Sequence, residues 1–118
     1  HTIGSNTSSV LFDPWYDKYI FPGAHIPSVG QITNASEHLF TMEDFQNFGA
    51  YYDPTVMAWH QNFEKHWPEF KDQFPPHFYR MWNYYLHISA GVFRSRFNQL
   101  FQFVFSKGGY PGVYIAPR

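Results

Sequence analysis

Leu100-Phe101-Gln102-Phe103-Val104-Phe105 is the stretch on which the fold turns. A strand alternates its side chains between two faces, and here both alternating sets are mostly apolar. The stretch therefore predicts a strand buried on both sides, one that needs neighbours to either side of it. Immediately upstream, Phe78, Met81, Trp82, Tyr85, Ile88, Ser89 and Val92 recur at spacings of three and four, which predicts a helix reaching Arg94 or Arg96. Before Pro75-Pro76, the residues Val56, His60, Phe63, Trp67, Phe70 and Phe74 keep the same rhythm. Asp53-Pro54 reads as an N-cap with proline at the first helical position, and Pro68 is expected to break or kink that helix after Trp67, giving one helix or two.

Toward the N-terminus the pattern changes period. Phe40, Met42 and Asp44 alternate with Thr41, Glu43 and Phe45, a strand ending before Gly49. Ser28 caps a short amphipathic helix carrying Val29, Ile32, Ala35 and Leu39. Residues 13–27 form a loop rich in turn formers, in which Trp15, Tyr16, Tyr19, Ile20 and Phe21 fit one helical turn. Residues 1–9 read as a polar opening that leaves a strand. The order is strand end, loop, helix, strand, two or three helices, strand: an α/β chain whose three strands make a poor sheet by themselves.

Composition narrows the function classes. The chain has 118 residues, 23% of them aromatic and 14% charged, the reverse of a disordered segment, and one domain at most. It has no cysteine, so no disulfide scaffold, thiolate metal site or cysteine nucleophile lies within it. A net charge of −1 offers no excess of cations to neutralise phosphates, and a nucleic-acid partner is not expected. The longest charge-free helical stretch, 81–93, falls short of the roughly 20 residues that cross a bilayer. No basic-then-apolar leader is present, and the sequons at Asn6 and Asn34 are read as accidental.

No glycine-rich nucleotide loop, phosphate loop, Gly-x-Ser-x-Gly or His-Glu-x-x-His occurs. His60, Glu64 and His66 have a spacing able to share a metal. Without cysteine and with a complete ligand set lacking, they read as surface polar residues beside an aromatic stripe, and no metal is expected. His25, His38, His77 and His87 show no recurrent spacing. Two segments stand apart from core filling. Asn47-Phe48-Gly49-Ala50-Tyr51-Tyr52-Asp53 lies between a strand end and a helix start, where open α/β sheets place ligands, and His1-Thr2-Ile3-Gly4-Ser5 reads as a polar loop leaving a strand. A histidine and a tyrosine on two such loops are able to converge on one small ligand; turn chemistry and core aromatics are the alternative.

His1-Thr2-Ile3-Gly4, Asp13-Pro14-Trp15, Lys18-Tyr19-Ile20-Phe21-Pro22-Gly23, Ile26-Pro27-Ser28, Glu43-Asp44, Asn47-Phe48-Gly49-Ala50, Tyr52-Asp53, Met57-Ala58-Trp59, Trp67-Pro68-Glu69, Tyr84-Tyr85-Leu86, Ala90-Gly91, Phe93-Arg94 and Val104-Phe105-Ser106 occur in one order and spacing. Together they resemble the C-terminal part of the cyclopropane-fatty-acyl-phospholipid synthases, over nearly the whole chain except the tail from Gly109. The resemblance implies the C-terminal part of a Rossmann-like methyltransferase sheet, about three strands with inserted helices, in which 1–118 is part of a single domain lacking its cofactor-binding half. It implies methylene transfer from S-adenosylmethionine to the cis double bond of a phospholipid acyl chain, and a bound bicarbonate held in part by His1, Ile3 and Tyr52. Cofactor-binding residues and two further bicarbonate ligands would lie upstream.

The resemblance also implies peripheral contact with the inner face of a cytoplasmic membrane, a homodimer for the full-length enzyme, and an acyl pocket shaped in part by the helical aromatic stripes. The chemistry is demanding. An alkene is a weak nucleophile, and the carbocation that follows methyl transfer needs a dry site and a nearby base. The competing reading is a non-catalytic lipid or protein interaction module derived from the same fold. Tyr51 and His87-Ile88-Ser89 depart from the family's pattern without touching the carried-over ligands.

Overall fold

The computed structural model describes residues 1–8 and 13–117. The elements are β1 (Thr2–Ser5), α1 (Pro14–Tyr19), α2 (Val29–Ser36), β2 (Thr41–Asn47), α3 (Gly49–Phe70), a 3-10 turn (Lys71–Gln73), α4 (Phe78–Arg94) and β3 (Asn98–Ser106). They form two compact units, a helical one over Gly49–Phe97 and a sheet unit built from the chain on either side of it.

In the sheet unit the strand order is β1-β3-β2, and β3 runs antiparallel to both neighbours. The apolar stretch thus takes the central position its two-faced pattern predicts. Burial is less even than expected. Gln99, Leu100 and Phe101 are buried, whereas 102–106 are half-buried. The reason is length: β1 has four residues and pairs with Asn98–Phe101, so among the described residues the second half of β3 is flanked by β2 alone. There Phe45 packs on Phe101 and Phe103 at 5.3 and 5.0 Å between ring centroids, and Phe103 stacks on Phe105 at 5.6 Å. Such cross-strand aromatic pairs are what stabilise a sheet.

A bulge between Met42 and Asp44 interrupts the β2 register. Beside it, the Glu43 carboxylate accepts bonds from the Ser106 hydroxyl and the Tyr110 amide, tying the tail to β2.

Three local expectations need correcting. Thr2–Ser5 is a strand, not a loop leaving one; its residues lie opposite Phe101 to Asn98, and the polar loop begins after Ser5. Ser28 does cap α2, through a full capping box with Gln31, but the helix stops at Ser36, His38 takes a positive φ of 63°, and Leu39 is exposed. The turn in 13–27 is a six-residue helix with Asp13 as its N-cap, accepting from the amides of Trp15 and Tyr16.

The helical unit is an antiparallel hairpin, since Asp53 meets Arg94, His60 meets Asn83 and Trp67 meets Phe78. Val56, Phe63, Leu86 and Ala90 are its buried centre, and Trp67, Phe70, Phe74, Phe78 and Trp82 form a chain of ring contacts around the turn. α3 begins at Gly49, more than a turn before the expected cap, and runs unbroken through Pro54 and Pro68. Each proline removes one amide donor, but each lies within two turns of a helix end, and packing of the aromatic stripe outweighs the loss. Asp53 is consequently no cap.

On the seam between the two helices, Glu64 accepts bonds from the Asn83 amide and the Tyr79 hydroxyl, both at 2.9 Å, and His60 lies 2.6 Å from Asn83. These bonds, Asn83's first, hold the Glu64 carboxyl below its ordinary range. A carboxyl with a depressed folded-state pKa contributes stability above its ordinary value and loses it as pH falls through the depressed one. Glu64→Gln should therefore melt below the unsubstituted protein at pH 6, with the two melting temperatures converging as pH falls through the depressed Glu64 value and the carboxylate is protonated; equal melting temperatures across the acid range would show the network to be energetically silent.

Gly4 is fixed by space. A Cβ there would overlap the ring of Phe101, itself buried at the centre of the sheet. Gly91 in α4 has open space where its Cβ would be. Gly4→Ala should cost about 1–3 kcal/mol by overpacking, whereas Gly91→Ala should stabilise by about 0.5–1 kcal/mol through helix propensity. Urea unfolding of the two variants checks both signs.

Candidate active site

The residues assigned to an anion fall on two different elements. Ile3 lies within β1 opposite Leu100, half-buried, and its carbonyl accepts the Thr2 hydroxyl at 2.9 Å. His1 is exposed and immediately precedes the strand. Two residues apart, His1 and Ile3 point to the same side of an extended chain. Both belong to the sheet unit.

β1 and β2 run in the same direction, each antiparallel to β3, so their C-terminal ends lie at one end of the sheet. Ser5 and Asn47 border a cavity of about 500 Å³ there, which is also lined by the start of α2 at Ser28, Val29 and Gly30 and floored by Phe45 and Phe101. His1 and Ile3 are not among its lining residues. At the start of α2 the Ser28 hydroxyl accepts the Gln31 amide and the Gln31 side chain accepts the Ser28 amide.

Tyr52 belongs to the helical unit, in the first turn of α3. Its ring is half-buried and meets Phe93 edge-on at 4.7 Å and Trp59 at 5.5 Å, with interplanar angles of 82° in both cases. Tyr51, next to it, is 70% exposed. One helical residue apart, the two phenols point about 100° away from each other, and only Tyr52 faces the packed side.

Beside Tyr52, Asp53 receives two bonds from Arg94, from Nε at 2.8 Å and from Nη2 at 2.9 Å. Those bonds hold the Asp53 carboxyl below its ordinary range and raise the Arg94 guanidinium. A second phenol lies near. Burial, and after it the proximity of Tyr52, push Tyr85 above its ordinary value, opposed by a hydrogen bond with Ser89. Ser89 is buried within the apolar face of α4.

Neither the Asp53–Arg94 pair nor the grouping of Tyr52 with Tyr85 was visible in the sequence. Their partners lie on separate helices, more than thirty residues apart, and local periodicity carries no information about which residues of two helices meet. The histidines also divide differently from expectation. His66 pairs with Glu69 at 2.9 Å, while His60 lies 3.7 Å from Glu64 and packs its ring on His87 at 4.3 Å between centroids. Among the described residues, no three side chains of metal-ligating type come together.

A family model described as mycolic acid cyclopropane synthetase matches residues 1–103. The chain is 51% identical over 116 residues to the cyclopropane-fatty-acyl-phospholipid synthase of Escherichia coli K12, covering 98% of this chain and 30% of that protein. It is 46% identical over 87 residues to a Citrobacter freundii sequence of the same name, covering 74% of this chain and 98% of that sequence. Among solved structures, the cyclopropane synthase MmaA2 from Mycobacterium tuberculosis superposes with a TM-score of 0.73 at 23% identity, covering 79% of this chain and 33% of that one. That likeness supports the expected α/β fold, a portion of a methyltransferase sheet. The chain spans about 30% of the length of the Escherichia coli relative and matches its C-terminal portion. Matched by that family model over residues 1–103, most of its own length, this chain belongs to the mycolic acid cyclopropane synthetase family.

Proposed function

We propose that this chain acts as the C-terminal part of a cyclopropane-fatty-acyl-phospholipid synthase, forming part of a single methyltransferase domain. The observation that carries the reading is 51% identity along 98% of the chain to a protein of that name. The reaction transfers a methylene group from S-adenosylmethionine to the cis double bond of an unsaturated phospholipid acyl chain, at the cytoplasmic face of a membrane and within a homodimer. S-Adenosylmethionine when bound supplies the electrophilic methyl group, and bicarbonate supplies a base. No strand-linked glycine-rich loop occurs in these 118 residues, so the adenosyl group is assigned to residues outside them.

His1, Ile3 and Tyr52 are assigned to the bicarbonate. The donor set fits an anion: a phenol hydroxyl and an imidazole N–H both donate. Tyr52 is suited to the task because the Phe93 and Trp59 rings leave its ring little freedom, so its hydroxyl is held in one direction. The aromatic surfaces of α3 and α4 serve to exclude water from a reaction that water would quench. Trp59 and Tyr84 remain exposed on the helical unit and are candidates for contact with acyl chains.

Two measurements test this assignment. In the full-length enzyme, Tyr52→Phe keeps the ring and removes one donor to a charged ligand, a loss of about 1.5–3 kcal/mol, or roughly one to two orders of magnitude in turnover when felt in the transition state. Tyr51→Phe should leave the rate nearly unchanged. Equal slowing by both, or no effect of Tyr52→Phe at limiting bicarbonate, would remove Tyr52 from the site. Calorimetry on the isolated chain should detect no S-adenosylmethionine binding; micromolar affinity would show that the cofactor site lies within these residues.

A further inference from the structure

Tyr52 and Asp53 are neighbours on α3, and Phe93 and Arg94 are neighbours on α4. The two pairs meet at one level of the hairpin. Tyr52 packs on Phe93 at 4.7 Å, and Asp53 takes both prongs of the Arg94 guanidinium at 2.8 and 2.9 Å. This is the end of the hairpin remote from the connecting turn at 71–77. At the turn end the two helices are held by the chain itself and by the stack of Trp67, Phe74, Phe78 and Trp82. At the far end the apolar packing of Val56, Ala90 and Phe93 holds the helices together, and the Asp53–Arg94 bonds are the polar contact that fixes how they meet.

The Asp53 side chain is only 20% exposed whereas that of Arg94 is 65% exposed, so the carboxylate is the fixed point and the arginine folds over it from solvent. An exposed ion pair contributes little to stability, but a two-pronged arginine–carboxylate bond fixes geometry. Here that bond joins the first turns of α3 to the last turn of α4.

We propose that Arg94 is a positioning residue for the reaction: through its two-pronged bond to Asp53 it fixes the Tyr52 phenol in the direction needed to donate to the anion. This rests on the reading of Tyr52 as a bicarbonate ligand. Arg94 itself touches neither substrate nor anion. It acts on one parameter, the fit of the anion to the phenol, and leaves the methyl donor's site alone.

The test uses the full-length enzyme and follows turnover as a function of bicarbonate, alongside the KM for S-adenosylmethionine and the melting temperature. Arg94→Met and Asp53→Asn should each raise the bicarbonate concentration for half-maximal turnover about tenfold, with the KM for S-adenosylmethionine unchanged. Arg94→Lys retains the charge but not the fork, and should shift the bicarbonate curve as far as Arg94→Met does. In a Tyr52→Phe background, Arg94→Met should add no further shift, because the donor it directs is gone.

An Arg94→Lys enzyme with the wild-type bicarbonate curve would overturn the proposal, since charge alone would then suffice. So would an equal shift by Arg94→Met with and without Tyr52, which is the behaviour of a purely structural residue. If Tyr52→Phe shifts the curve and the Arg94 and Asp53 variants do not, the clamp is wrong and the reading of Tyr52 stands. If Tyr52→Phe itself leaves the curve in place, both fall. Should Arg94→Met fold poorly, Asp53→Asn and Arg94→Lys decide the same question.

Discussion

Everything in the sheet unit depends on β3 being gripped from both sides by strands that lie far away in sequence. β3 is the strand to which both β1 and β2 are paired in this three-stranded sheet. Through it the two strands run in the same direction, their C-terminal ends meet at one end of the sheet, and Ser5 and Asn47 come to border the same cavity. The grip is close enough that Gly4 must be glycine, because the Phe101 ring occupies the volume a side chain would take. Phe101 then links the two strands, lying over Gly4 on one side and against Phe45 on the other.

The helical unit solves a different problem with different means. Its rings pack in a continuous series around the connecting turn, and its polar contacts lie along the seam, where Asn83 joins His60 to Glu64. Aromatic packing stabilises the hairpin as a whole and confines the rings it touches, that of Tyr52 included. The bonded groups along the seam and at its remote end add a fixed geometry between the two helices. Tyr52 lies where both kinds of force act on one residue, with rings on its faces and an ion pair beside it.

Much of this was legible in the sequence, and the reasons follow from the period of each element. The central strand was visible because a run apolar on both faces has no place at an exposed edge. The α4 stripe and the Ser28 cap were visible because helical spacing and capping chemistry are local. What failed was local grammar overridden by packing. Asp53-Pro54 has the form of a helix start, yet α3 had already begun at Gly49, and Pro68 did not stop it. The opening His1-Thr2-Ile3-Gly4-Ser5 looked like a loop because four residues are too few to show an alternation, and their partner is β3. Of the candidate site, Tyr52 and the β1 residues were reached through family resemblance, whereas Asp53–Arg94 and Tyr85 with Ser89 needed the tertiary structure.

The register Thr2↔Phe101 has a consequence for the order in which the molecule assembles. Closing it brings together residues separated by nearly the whole chain, and the entropy of that closure must be met before any of the pairing is gained. The helical hairpin needs only a short turn to close, and its contacts are local. Contact order thus favours the helices before the sheet, and until β3 is in place β1 and β2 lack the strand they share. The interval between those two events is when this aromatic-rich chain is most exposed to pairing with the wrong partner.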